Sequence, residues 1–376
     1  MESLVYRAPA KGLLACFPFA RREAITIRRG NLCLSRLAAS SVVRRTSITS
    51  FCEARDFVQY DLIADIHGRA DALVALLGQM GYRETQGAWR HSDRQAVFVG
   101  DFIDRGSQQI ESVSIARRMV DAGSALAVMG NHELNAIAWF TPDPANPGEF
   151  FRKHTPRNRN QHQAFLKEVG GTPLHAEIID WFKTLPLWLE LPGLNVVHAC
   201  WHEAFMAELA GVLGPNRTLA DALLSAALGQ PKDPASKDTT DFTIFKAVET
   251  LTKGMEVNLP AGYSFRDADD HERTRVLVQW WQSGRVSYDD GAEVPPSVHS
   301  QLGAIDPATR MPAHATLGYA REVPLIFGHY WRSGTPEIIQ NGRLACIDYN
   351  IAKGRKLVTY RWEGEPMLVN EHFVSV

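Results

Sequence analysis

From Tyr60 onward one pattern recurs: a run of four to six mostly apolar residues stops abruptly at glycine, aspartate, asparagine or histidine. Residues 61–64 lead into Asp65, His67 and Gly68; residues 96–99 lead into Gly100, Asp101, Asp104, Arg105 and Gly106. Residues 125–129 lead into Gly130, Asn131, His132 and Glu133, residues 194–197 into His198 and Cys200, and residues 324–327 into Gly328 and His329. Runs this short, bounded by glycine and charge, predict buried strands, because a helix needs more length to hide itself. Between the first two runs Leu73, Leu76, Leu77 and Met80 fall at helical spacing, and Ile110, Val113 and Val120 repeat that rhythm after Gly106. Strand, polar loop, helix, strand predicts an α/β (α+β) chain with its chemistry outside the carboxyl ends of the strands.

Two stretches interrupt the pattern, residues 138–190 and 203–322. The first is expected to be mainly helical over 165–185; the second begins as helix and continues in loops rich in Gly, Pro and Asp. Because both lie between motif-bearing strands, they are expected to be caps over the site within one catalytic domain, residues 56–376. Near the end, residues 344–348 and 356–362 read as two strands separated by Lys353 and Gly354, which suggests a closing hairpin.

Composition narrows the classes. Lys and Arg number 40 against 42 Asp and Glu, a formal net charge of −2, so nothing global points to a nucleic-acid partner or an anionic membrane. Five scattered cysteines with no Cys-x-x-Cys pair fit a reducing compartment, and a cytoplasmic location is expected. No apolar run approaches the ~18–20 residues of a membrane span. Residues 1–55 differ from the rest, being rich in Arg and Ser and poor in acid. They read as a translation start assigned upstream of the true one or, second, as an organellar import leader. Cys16, Cys33 and Cys52 within them are too widely spaced, and lack the histidines, for a metal site.

The loops after the strands supply carboxylate, imidazole and amide oxygen, a donor set for hard or borderline divalent cations. Asp65 and His67, two residues apart, can converge on one ion from an extended loop. A carboxylate at Asp101 has lone pairs enough to bridge two ions, and Asn131, His198 and His329 can complete the second. A lone Asp-x-His is more often a turn than a ligand pair; five linked motifs in order are not.

Asp65-x-His67-Gly68, Gly100-Asp101-x-x-Asp104-Arg105-Gly106, Gly130-Asn131-His132-Glu133, Val197-His198 and Gly328-His329 resemble, in order and form, the calcineurin-like metallophosphoesterases. The likeness is nearest to the phosphoprotein phosphatase branch, which includes bacterial symmetrical dinucleoside tetraphosphatases, and it spans residues 61–362 with little of it in the two insertions. It implies a two-sheet β-sandwich flanked by helices. It implies two divalent ions, manganese first among Mn, Fe, Zn and Co, with Asp65, His67 and Asp101 on one and Asp101, Asn131, His198 and His329 on the other. Hydroxide between them would attack phosphorus directly, with no covalent phosphoenzyme. His132 would protonate the leaving oxygen, oriented by Asp104, while Arg105 and Asn131 would bind the phosphoryl group.

The implied activity is serine/threonine phosphatase-like, the alternative a dinucleoside polyphosphate (Ap4A-type) hydrolase; the substrate is accordingly a phosphoprotein or a nucleotide. A non-catalytic metal-binding scaffold would lack a ligand or the acid, and neither is missing. Where relatives carry small residues, this chain has Trp201 and His202 after His198, and Tyr330 and Trp331 after His329; these aromatics are expected at the site mouth. Arg273 and Arg275, near Trp280 and Trp281, can be a solvated face or a second phosphate clamp, with Arg273 the candidate. Cys200 reads as a buried small hydrophobe, and His202 as an ordinary loop histidine.

Overall fold

A computed structural model describes residues 59–231, 240–266, 271–294, 296–302 and 305–376. The leader expected over residues 1–55, with its three cysteines, lies outside the described residues. The first half of the chain forms strands β1 (Gln59–Ile63), β2 (Arg83–Thr85), β3 (Ala88–Arg90), β4 (Arg94–Phe98), β5 (Ala125–Ala127), β6 (Trp188–Leu191) and β7 (Leu194–Val197). After them come β8 (Glu256–Asn258), β9 (Phe265–Arg266), β10 (Glu272–Arg273), β11 (Arg275–Val278), β12 (Ala292–Glu293), β13 (Leu325–Phe327), β14 (Leu344–Cys346), β15 (Val358–Trp362) and β16 (Phe373–Ser375). The helices used below are α1 (Ala70–Gln79), α2 (Gln109–Asp121), α3 (Asn131–Phe140), α4 (Pro156–Val169) and α5 (Pro173–Lys183).

Two mixed sheets organise the chain. One runs β16-β15-β1-β4-β5, with β1, β4 and β5 parallel and β15 antiparallel to β1; the other runs β14-β13-β7-β6, with β14, β13 and β7 parallel and β6 antiparallel to β7. Both contribute to one hydrophobic core, in which Leu62, Val97, Phe98, Val196 and Phe327 are fully buried. This is the two-sheet, helix-flanked arrangement that the resemblance implies. The helical spacing is met by α1, which buries Leu73, Leu76 and Leu77, and by α2, which buries Val113.

The first insertion contains α4 and α5, each opened by proline at its first turn, where the missing N–H is no loss. The second insertion begins as helix over Glu203–Ala210 and then builds a three-stranded sheet, β12-β11-β8, around a small core of its own that includes Val257, Val276 and Val278.

The closing hairpin expected near the end does not form. β14 pairs parallel with β13 in the second sheet, whereas β15 pairs with β1 and β16 in the first. The residues between them are a crossing between sheets, and they carry Asp348, Asn350 and a short 3-10 turn, Ile351–Lys353, into the site region.

His175 on α5 is 7% exposed, packs edge-on to Phe140 and Phe165, and has no partner for Nε2. Burial first, and nearby His162 second, push its imidazole down to about 4. In the unfolded chain it protonates near pH 6.5, so stability is full above that pH and drains as pH falls toward 4. A loss of roughly 2 kcal/mol at pH 5 relative to pH 7 is expected from this one group. Denaturant midpoints at the two pH values check it, and in His175→Phe this share of the pH dependence should vanish.

Candidate metal centre

Six strands from both sheets deliver the site. β1 ends at Asp65 and His67, β4 at Asp101 and Asp104, β5 at α3 with Asn131 and His132, β7 at His198, β13 at His329, and β14 at Asp348. The first two loops are laced together: the N–H groups of Ile66 and His67 both donate to Asp101 O (3.0 and 2.9 Å), and Gly68 N–H donates to Phe102 O. Glu133, fully buried on α3, accepts from the N–H groups of Asp101 (2.8 Å), Phe102 (2.9 Å) and Gly130 (3.0 Å), fixing the β4 and β5 loops against each other.

These loops hold strained backbone. His67, Asp101, Asp104, Arg105 and His329 all have φ between 50° and 73°, where side chains other than glycine are disfavoured. Strain of this kind survives only where the surroundings over-determine it, and here it aims side chains. Glycine is required beside them for a different reason. A Cβ on Gly328 would sit 2.2 Å from Asp65 Oδ1, and one on Gly100, at φ 104°, would meet the backbone of Gly130 at 2.6 Å.

The donor atoms face one another. Asp101 Oδ2 lies 3.8 Å from His67 Nε2 and 3.9 Å from His132 Nε2, while Oδ1 lies 3.5 Å from His198 Nε2 and accepts the His132 backbone N–H at 3.0 Å. Asn131 Oδ1 stands 3.2 Å from His198 Nε2 and 2.9 Å from His329 Nδ1. Two groups result, His67, Asp101 and His132, and Asp101, His198 and His329, each with its ligand atoms within 4.8 Å of one another. The far nitrogens are fixed by the protein: His67 Nδ1 on Ile103 O (3.0 Å) and His198 Nδ1 on Val99 O (2.7 Å), which leaves Nε2 of both rings pointing inward.

These residues fit divalent cations. Asp65 Oδ1 and His67 Nε2 are buried with no hydrogen-bond partner, an arrangement that is costly unless another atom binds them. Burial, Asp348 and Asp101 push the Asp65 carboxyl well above its ordinary range; burial and Asp101 likewise push Asp348 up to about 7. Burial and His132 push His67 down to about 4, and burial and His198 push His329 down to about 3. Crowded carboxylates beside neutral imidazoles are the surroundings a cation relieves.

His132 is held differently. Its Nδ1 lies 2.5 Å from Asp104 Oδ2, and the other oxygen of Asp104 takes His162 Nδ1 at 2.8 Å. Burial lowers the basicity of His132, but Asp101 and Asp104 outweigh it and raise the imidazole above its usual value.

A cavity of about 700 Å³ opens over this cluster. Arg105, Arg152, Lys353 and Arg355 line it together with Asn131, His132, His162, Leu277 and Trp331. Of the aromatics expected at the mouth only Trp331 is there, 46% exposed with Lys353 Nζ over its ring. Trp201, 2% exposed, and Tyr330, fully buried against Trp281, belong to the core. His202 caps the next helix, accepting Phe205 N–H, and Cys200 is buried with its thiol pushed well up. Arg273 lies on β10, paired opposite Phe265, and does not line the cavity.

Asp348, His162 and Arg152 were not among the residues singled out from the sequence, and Glu133 was named there only within its motif, without a role. Asp348 follows an apolar run as the others do. Arg152 and His162 sit in a polar stretch that carries no motif.

Residues 60–209 match the family model for calcineurin-like phosphoesterases. An asymmetrical bis(5'-nucleosyl)-tetraphosphatase of Oceanobacillus iheyensis is 29% identical over 38% of this chain and 55% of its own length; one from Bacillus velezensis is 40% identical over 37% and 55%. The chain thus spans about half the length of these relatives. A symmetrical bis(5'-nucleosyl)-tetraphosphatase of Vibrio cholerae is 23% identical over 80% of this chain and 94% of its own. Motifs and match agree over one stretch: residues 60–209 are similar to the calcineurin-like phosphoesterases.

Proposed function

We propose that the chain is a dinuclear metal-dependent phosphoesterase acting on a phosphoric anhydride of the dinucleoside polyphosphate class. The observation that carries this is the convergence of His67, Asp101, His198 and His329 from both sheets, with Asp65 Oδ1 and His67 Nε2 buried and unpartnered. Asp65, His67 and Asp101 would hold one divalent ion, manganese being the one to assay, and Asp101, Asn131, His198 and His329 the other. When bound, the pair supplies an activated water and positive charge for the attacked phosphoryl oxygens.

The chain's own residues do the rest. Asp104 holds His132 by Nδ1, so that Nε2 can present a proton to the leaving oxygen. Arg105, exposed on the strained β4 loop, offers a fork of donors to the phosphoryl group. His162 grips the second oxygen of Asp104 and keeps the carboxylate from rotating away from His132.

The substrate class rests on the four cations that line the cavity, more than one phosphate monoester needs, and on the printed names of the relatives. Hydrolysis of diadenosine tetraphosphate, followed by its nucleotide products, against phosphate release from a phosphothreonine peptide and from p-nitrophenyl phosphate, with manganese present, tests it. A tenfold or greater preference for the dinucleotide is expected, and the products, equal or unequal halves, give the cleavage position. Preference for the peptide would move the reading to a serine/threonine phosphatase, and hydrolysis of none of the three would end it.

A further inference from the structure

The cavity over the cluster does not end at its walls. It abuts a second cavity of about 890 Å³, and the two share Asn135 and Arg152 as lining residues. Arg152 is set firmly at this junction: its N–H donates to Ala138 O at the end of α3, its Nη1 to Asn135 Oδ1 (2.9 Å) and its Nη2 to Gln161 Oε1 (2.8 Å). Two neutral amides therefore fix the plane of the guanidinium without neutralising it. Its Nε is buried and finds no acceptor, and no ion pair joins it to a described carboxylate.

The contrast within the fold is Arg94. That arginine is buried too, but it sits 2.8 Å from the Asp61 carboxylate. Burial depresses the basicity of Arg152, and Asp104 and Glu249 only partly offset this. A pre-oriented guanidinium with no described carboxylate in ion-pair contact is built to receive an anion. Beyond it the lining turns mixed, with Asp143 and Lys153 beside Phe150 and Phe151, which suits an uncharged polar group better than more phosphate.

We propose that Arg152 binds a second phosphate of the substrate, one that is not attacked, and that the second cavity takes the nucleoside attached to it. This rests on the phosphoesterase reading above. The site then selects oligophosphates over monoesters by chain length, a discrimination that the metal cluster alone does not provide.

Calorimetry with a methylene-bridged, non-hydrolysable analogue of diadenosine tetraphosphate, with orthophosphate as comparator, tests the assignment on manganese-supplemented protein. Arg152→Ala should weaken the analogue roughly 10- to 100-fold, the loss of a charge-assisted pair, and orthophosphate by less than about threefold. Arg152→Lys should recover part of the loss. In turnover, the ratio of kcat/KM for the dinucleotide to that for p-nitrophenyl phosphate should fall at least tenfold in the alanine variant. Unchanged melting temperatures establish that both variants fold.

Equal weakening of both ligands, no weakening of either, or no binding of the analogue by the unsubstituted protein would overturn the second-phosphate site. Failure of the function reading shows separately, as an unsubstituted enzyme that turns over neither substrate, and the binding comparison can still be read in that case.

Discussion

Asp101→Asn is expected to lose roughly a thousandfold or more of the hydrolysis rate and to lose bound metal with it. Asp101 is the one carboxylate that stands in both candidate groups, 3.8 Å from His67 and 3.5 Å from His198. An amide retains the oxygen that accepts the His132 N–H at 3.0 Å, so the backbone of the β5 loop keeps its anchor. What is lost is the charge and one of two acceptor oxygens. Asp65 and Asp348, both pushed upward partly by Asp101, should be relieved by the change. The variant in chelator should therefore melt no lower than the unsubstituted protein, while the rise in melting temperature on adding manganese should disappear. A variant that melts lower in chelator would show Asp101 to be a structural residue, and one that keeps metal and rate would dismiss it as the bridge.

His132→Ala is expected to lower the rate on unactivated leaving groups by roughly 100- to 10,000-fold while metal content stays the same. The distinguishing readout is leaving-group dependence. p-Nitrophenolate departs without help from an acid, so the loss on p-nitrophenyl phosphate should be much smaller than that on a phenyl or alkyl ester. A uniform loss across leaving groups would mean that His132 acts through the metal cluster, of which it is a geometric member, and not as the proton donor. The pairing with Asp104 at 2.5 Å argues for the donor role, since it fixes the tautomer and orients Nε2.

Most of the cluster was legible in the sequence because its residues sit where apolar runs stop. A buried strand must end in a loop, and in this grammar the loop is where polar side chains can meet. Asp65, Asp101, Asn131, His198 and His329 all follow that rule, and their order along the chain matches the order in which the strands deliver them. Asp348 follows the same rule after β14. It was missed because the nearby run ending at Trp362 invited pairing with β14, whereas the two strands belong to different sheets.

Other residues had no such signal. His162 is one histidine on a polar helix, and its role depends on the turn that lays α4 across Asp104, which is a tertiary fact. Arg152 differs from the buried Arg94 in meeting two amides where Arg94 meets a carboxylate, and a sequence does not show partners. Trp201 and Tyr330 were misplaced for a related reason. Adjacency to His198 and His329 says nothing about direction, and successive side chains leaving a strand point to opposite sides. Tyr330 turns into the core where its neighbour Trp331 turns out to the cavity.

The donors come from strand ends of both sheets, and that has a mechanical consequence. Whatever cation they share is also a clasp across the seam: Asp65, His67 and Asp101 hang from one sheet, His198 and His329 from the other. Affinity for the ion and alignment of the sheets are then a single linked quantity. At a thousand times its dissociation constant a cation would tighten the whole unit by about 4 kcal/mol. Conversely, a packing change deep in β13, far from any phosphate, would register first as weaker metal binding.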